Sequence, residues 1–214
     1  MSRLSENLET SERTTNARTA PDFTPEQRHI LLGVARAAIA SGLMGEPLPD
    51  QPPVSSSSSS SHSWPGLKEP RGVFTTLYLD GQLRGCVGYA MPIRPLYRAV
   101  AETARAAAFE DSRFWPVTPE EAPHLKISLS ILSPLFSISA ADVEVGRHGL
   151  LISDSARRGL LLPQVPVEHG WDRETFLEQT CRKAGLPKDA WRNAAAVTIQ
   201  AFTAEVFGDE GCSE

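Results

Sequence analysis

The sequence predicts an α+β domain with a mainly antiparallel sheet flanked by helices. Three observations predict it. Strand-like and helix-like segments follow one another without the regular β-α-β alternation of a parallel sheet. The strongest local signal is a hairpin, with Asp80-Gly81 between two runs rich in β-branched and aromatic residues. Apolar residues recur at both helical and alternating spacing over 214 residues, enough for one sizeable core.

Residues 1–22 are rich in Ser, Thr, Glu, Arg and Asn and read as a disordered N-terminal tail, because they cannot bury enough surface to offset ordering entropy. The first helix opens at Thr24-Pro25-Glu26-Gln27, where Thr24 and Gln27 form a capping box and Pro25 suits the first turn. It runs to about Ser41, with Ile30, Leu31, Val34 and Ala38 on the buried stripe and Gly42 placed to end it. Residues 47–64, with four prolines and the unbroken Ser55 to Ser61 run, have linker composition and read as a loop inserted within the domain.

Val73 to Leu79 and Gln82 to Gly88 form the hairpin. A two-residue turn sets Leu79 opposite Gln82, so Phe74 and Tyr78 are expected on the core face with Leu83 and Val87, and Arg84 and Cys86 on the other face beside Thr75 and Leu77. Ile93 to Glu110 is the second helix, burying Ile93, Leu96, Val100, Thr103 and Ala107 and turning Arg94, Arg98 and Arg105 outward. Thr118-Pro119-Glu120-Glu121 caps a short turn. Leu125 to Leu132 then alternates, with Leu125, Ile127, Leu129 and Ile131 toward the core and Lys126, Ser128 and Ser130 toward solvent or the wall of a cleft.

His148 to Ser153 and Gly159 to Leu162 are short strands, and Pro163 to Gly170 is a loop. Asp172 caps a third helix, stapled by Trp171 and Phe176 and closed by Gly185 and Pro187, with Trp191 in a following turn. Val197 to Phe207 is apolar on both faces, as a central strand is, and residues 209–214 form a polar tail containing Cys212.

Charge and composition exclude several functions. A net charge of −5 speaks against general nucleic-acid binding, which needs Lys and Arg to neutralise phosphates. No apolar run approaches a membrane span, and the N-terminus lacks the apolar stretch of a signal peptide, so a cytoplasmic protein is expected. Cys86, Cys181 and Cys212 form no CxxC pair, and the five histidines have no short metal spacing, so no metal is assigned and no cofactor is named.

Cys86 is the first chemical candidate. It lies in Leu83-Arg84-Gly85-Cys86-Val87-Gly88, two residues from Arg84, and a nearby cation favours the thiolate. One charge at ~7 Å with an effective dielectric near 20 contributes roughly 2 kcal/mol, so activation requires a partly closed site. Read as packing, Cys86 is a small buried hydrophobe. Asp111-Ser112-Arg113-Phe114 supplies an Asp and an Arg that either clasp each other or project into a cleft. His148 and His169 are candidate bases for Cys86 if the fold brings them together. Gly85 and Gly88, without side chains, let another backbone or a ligand come close.

Taken together, Leu83 to Gly88 after the Asp80-Gly81 turn, Asp111 to Phe114, Leu161-Leu162-Pro163-Gln164-Val165, Trp171-Asp172 and Cys181 to Leu186 resemble the AMMECR-type domain family, also named AmmeMemoRadiSam system protein A. The resemblance covers roughly Phe23 to Phe207 of a domain spanning 23–208. Val87 stands where the family typically has Ile, and the Ser-rich run is an insertion outside the motifs. The resemblance implies a two-lobed α/β domain with a cleft near the Arg-Gly-Cys motif. Arg84 and Cys86 are expected to line that cleft, with Gly85, Gly88, Asp111, Arg113 and Gln164 as binding candidates. It also implies partners, a Memo-like protein and a radical SAM protein, with this chain as the non-radical component. Two other functions fit the same residues. One is a Cys86-dependent enzyme on a small anionic substrate anchored by Arg84. The other is a non-catalytic module whose arginine stripe recognises a partner protein.

Overall fold

The computed structural model describes residues 23–48 and 65–210. The N-terminal tail, the Ser-rich insertion and Cys212 fall outside them. Helix α1 (Pro25–Leu43) begins with the expected capping box: the Thr24 hydroxyl accepts from the Gln27 N–H and the Gln27 side chain accepts from the Thr24 N–H. It runs past Gly42, whose place is fixed by packing instead: a Cβ there would meet the Phe109 ring at 2.3 Å. Gly45, at φ +69°, lies just beyond the helix end.

After a short helix α2 (Pro65–Lys68), strands β1 (Val73–Leu79) and β2 (Gln82–Tyr89) form the hairpin. Asp80 and Gly81 both have positive φ, as an Asp-Gly turn requires. Leu79 pairs with Gln82 and Tyr78 with Leu83, but Leu77 then pairs with Gly85, leaving Arg84 as the extra residue of a bulge. That one residue reverses the expected faces of β1, while Val87 lies on the core face and Cys86 on the other, as expected. Val73, Thr75 and Leu77 point into the core opposite Val87 and Gly85, while Phe74, Thr76 and Cys86 share the other face.

Helix α3 (Leu96–Phe109) starts three residues later than the periodicity predicts, and Ile93 is left 67% exposed. Pro95 explains the difference, since it sits at the N-cap and disfavours helical backbone in the residue before it. The buried alanines of α3 let it approach the sheet closely, and Thr103 meets Thr75 in a buried hydroxyl pair at 2.8 Å. At Gly85 the helix backbone takes the place of a side chain: a Cβ would lie 2.1 Å from the Ala107 carbonyl oxygen.

Strand β3 (Lys126–Leu132) buries Ile127, Leu129 and Ile131, with Leu125 buried just ahead of it. It leads into β4 (Phe136–Ser137), and β5 (Gly149–Ser153) pairs with β6 (Arg158–Leu161). Residues expected as a loop contain a short helix, α4 (Gln164–Glu168). Helix α5 (Arg173–Lys183) is capped by the Asp172 carboxylate accepting from the Thr175 N–H, with Phe176 buried at the staple position.

The segment expected as one central strand is two, β7 (Thr198–Phe202) and β8 (Ala204–Gly208), in different sheets. The break falls at Thr203, whose carbonyl accepts from the Ser133 N–H and whose N–H donates to the Ser133 hydroxyl. Both faces are apolar because one half covers each sheet. The sheets are antiparallel, in the orders β2-β1-β3-β8 and β4-β7-β5-β6. Helices α1 and α3 cover the inner face of the first sheet, and α5 packs against β5 and β6 of the second, giving two lobes with separate cores.

Candidate functional site

The face of the first sheet turned away from α1 and α3 forms one wall of a cleft. Pairing places Cys86, Thr76 and Ser128 side by side across β2, β1 and β3, and Gly88, Phe74 and Ser130 in the next row. The Phe74 ring lies over Gly88, where a Cβ would stand 2.2 Å from it, so Gly88 is occupied by an aromatic side chain. The opposite wall comes from the turn before β5, through Gly146 and Arg147, and from Leu162 to Glu168, with Ala204 and Val206 of β8 along one side. The space enclosed is about 650 Å³.

Cys86 is held by its backbone. Its N–H donates to the Asp111 carboxylate at 2.8 Å, and its carbonyl accepts from Arg113 Nη2 at 3.4 Å. β2 is an edge strand, so these groups have no neighbouring strand, and the Asp111-Arg113 pair closes the edge at this residue. Asp111 also takes the Arg113 backbone N–H, Nε and Nη2, the last at 2.7 Å. The Arg113 guanidinium, with the Cys86 N–H, holds the Asp111 carboxyl far below the usual carboxylate range. The sequence left open whether this pair was a clasp or a site, and it is a clasp on the backbone of the cavity-lining Cys86.

The Thr76 hydroxyl donates to Cys86 Sγ at 3.3 Å. Arg84, displaced by the bulge, turns instead to Glu121, with Nε and Nη2 donating to its two carboxylate oxygens at 3.1 and 2.9 Å, and Nη2 also reaching the Pro116 carbonyl. The Arg84 hydrogen bonds lower the Glu121 pKa. Arg84 is therefore neutralised by its own partner and does not line the cavity.

His148 and His169 do not line it either. His148 is buried, its Nδ1 accepting from the Glu144 N–H at 3.1 Å and its ring edge-on to Phe136. Burial depresses its pKa, followed by the neighbouring Arg147. His169 stacks on Trp171 with ring centroids 4.7 Å apart. Of the predicted residues, Cys86 and Gln164 reach the cavity directly, while Asp111 and Arg113 act behind Cys86 and Gly85 faces α3. Sequence reasoning missed Thr76, Tyr78 and Arg147. The alternation of β3 did point to Ser128 and Ser130. Among the described residues, no group of three His, Cys, Asp or Glu side chains is arranged to hold a metal ion, and no helix is long and apolar enough to cross a membrane.

The AMMECR1 family model matches residues 32–207. The chain belongs to the AMMECR1 family. A protein of Methanopyrus kandleri is 41% identical over 199 residues, covering 88% of this chain and 91% of its own length. One of Methanothermobacter thermautotrophicus is 40% identical over 196 residues, covering 87% and 96%. The crystal structure of an uncharacterized protein from Pyrococcus horikoshii is similar with a TM-score of 0.67 and 37% identity, over 88% of this chain and 94% of that one. The AMMECR1 match takes in both lobes and every residue of the cleft wall described above.

Proposed function

We propose that the protein works through this cleft, holding a small molecule against the Cys86 thiol, as the non-radical component of a system that includes a Memo-like protein and a radical SAM protein. The observation that carries the reading is that Cys86 lines a cavity of about 650 Å³, a volume suited to small-molecule sites, while Asp111 and Arg113 fix its backbone. Packing alone does not require that arrangement. Cys181, fully buried in the second core with its pKa raised by burial, is the packing cysteine of this fold. The partners are supplied by the resemblance to proteins of such systems.

One observation favours a Cys86-dependent enzyme within the same reading: the Thr76 hydroxyl donates to Sγ at 3.3 Å, which holds the sulfur in the cavity wall. The non-catalytic module has less support, because its arginine stripe is engaged within the chain. Arg94 lies 3.8 Å from Glu102, and Arg105 donates to the Glu46 carbonyl at 2.7 Å.

Iodoacetamide labelling of the native protein, read by mass spectrometry, tests the cleft thiol. Cys86 should be labelled in the folded state, and Cys181 only on unfolding. Equal protection of both would remove the reading. For the partners, the chain mixed with a purified Memo-like protein should co-elute in size-exclusion chromatography, and separate elution at micromolar concentration would count against the assembly.

A further inference from the structure

We infer that the cleft at Cys86 selects an uncharged, hydroxyl-bearing ligand and turns anions away. The inference rests on the proposed use of the cleft and adds the chemical class of what enters it.

The floor of the cleft is neutral and hydrogen-bonding. The thiol of Cys86 and the hydroxyls of Thr76 and Ser128 stand on three adjacent strands, about 4.8 Å apart from one strand to the next. Ser130 adds a fourth polar group in the next row, beside the Phe74 ring. Hydroxyls both donate and accept, so such a row matches the hydroxyls of a ligand, while an aromatic face accommodates its carbon skeleton. Gln164 adds an amide from the opposite wall.

The charges around the cleft point the same way. An anion drawn out of water needs a cation free to receive it. The three arginines surrounding Cys86 are each engaged by a carboxylate of their own: Arg84 by Glu121, Arg113 by Asp111, and Arg147 by Glu144 at 3.0 Å. Lys126, on the same sheet face but outside the cavity lining, donates to the Glu210 carbonyl. Glu168 on α4 lines the cavity and has no cation partner among the described residues, so its carboxylate faces the cavity without an ion pair. The anionic substrate anchored by Arg84 thus finds no anchor, and a neutral one finds four polar groups in two rows.

Paired alkylation reads the charge of the cleft directly. Iodoacetamide and iodoacetate differ by an amide against a carboxylate. With either, the Cys86 thiolate forms a C–S bond to the reagent's CH2, iodide leaves with the electron pair, and the thiol proton passes to buffer. The rate ratio of iodoacetamide to iodoacetate at native Cys86, divided by the same ratio in the urea-unfolded chain, should exceed one by about two- to threefold. That is the effect of one unit charge ~8 Å away in bulk-like water, and walls that exclude water enlarge it. Glu168→Gln should bring the normalised ratio back toward one, as should high salt. A ratio at or below one, or one unchanged by Glu168→Gln, would overturn the inference. If Cys86 reacts with neither reagent, it is the thiol's accessibility that has failed. The same normalised ratio at a Ser130→Cys reporter in a Cys86→Ser background then decides the charge preference, again with a value at or below one overturning it.

Discussion

Removing the Asp111 carboxylate should destabilise the protein at the residue its cleft depends on. Asp111 accepts four hydrogen bonds, from the Cys86 N–H, the Arg113 N–H, and Arg113 Nε and Nη2. Its side chain is 6% exposed, whereas Arg113 is 56% exposed, so the ion pair itself is screened and contributes little. The part-buried Cys86 N–H on the edge strand matters more, since losing a charged acceptor there costs about 1.5–3 kcal/mol. Asp111→Ala should therefore lower stability by roughly 2–4 kcal/mol, and Asp111→Asn, which keeps one acceptor oxygen, by about 1–2 kcal/mol. Urea titration at constant slope measures both. The pH dependence has a definite sign. The folded carboxyl titrates below the unfolded value of about 3.9, so its contribution is present above that value and is lost as pH falls toward the folded pKa. Asp111→Asn should flatten this acid limb. Unchanged midpoints and an unchanged acid limb would refute the clasp.

Gly85→Ala should cost roughly 3 kcal/mol or prevent folding, because its Cβ would meet backbone, the Ala107 carbonyl, which has nowhere to move. Gly81→Ala, at φ +76° with open space around it, should cost only about 1 kcal/mol from backbone conformation, and thermal melts of the two separate a clash from a strained turn. His148 has a depressed pKa when folded, so its contribution is present above the unfolded value of about 6.5 and fades as pH drops below it. The loss of stability between neutral and mildly acidic pH should shrink in His148→Gln, measured by denaturation across that range.

Much of the architecture was legible because local chemistry and tertiary structure agree. Thr24 and Asp172 cap where their side chains allow, Asp80-Gly81 turns as it must, and the alternation of β3 gave both its core face and the two serines of the cleft. What misled the reading was a single residue of register. Nothing in Leu83-Arg84-Gly85-Cys86 announces a bulge, yet it exchanges the faces of β1 and so hides Phe74, Thr76 and Tyr78 as cleft residues. The Gly85 contact with α3 accounts for the register: only a residue without a side chain fits beneath Ala107, which sets Cys86 outward. The apolar run from Val197 to Phe207 likewise gave its burial but not its division, since serving two sheets and being central in one leave the same pattern. His148 and His169 were proposed for their chemistry, and their partners, the Glu144 N–H and the Trp171 ring, lie in the turn and loop around them.

The most direct test of the account is to fill the cleft and watch the thiol. Ser130 stands one row from Cys86 on the cleft face, and Ser130→Trp would project a large ring into the cavity without touching Asp111 or Arg113. If the cavity is the route to Cys86, iodoacetamide labelling of the folded variant should slow at least tenfold, with urea midpoint and Cys181 protection unchanged. Labelling at the unaltered rate would mean that Cys86 is reached from elsewhere, and would contradict the cleft as the working site.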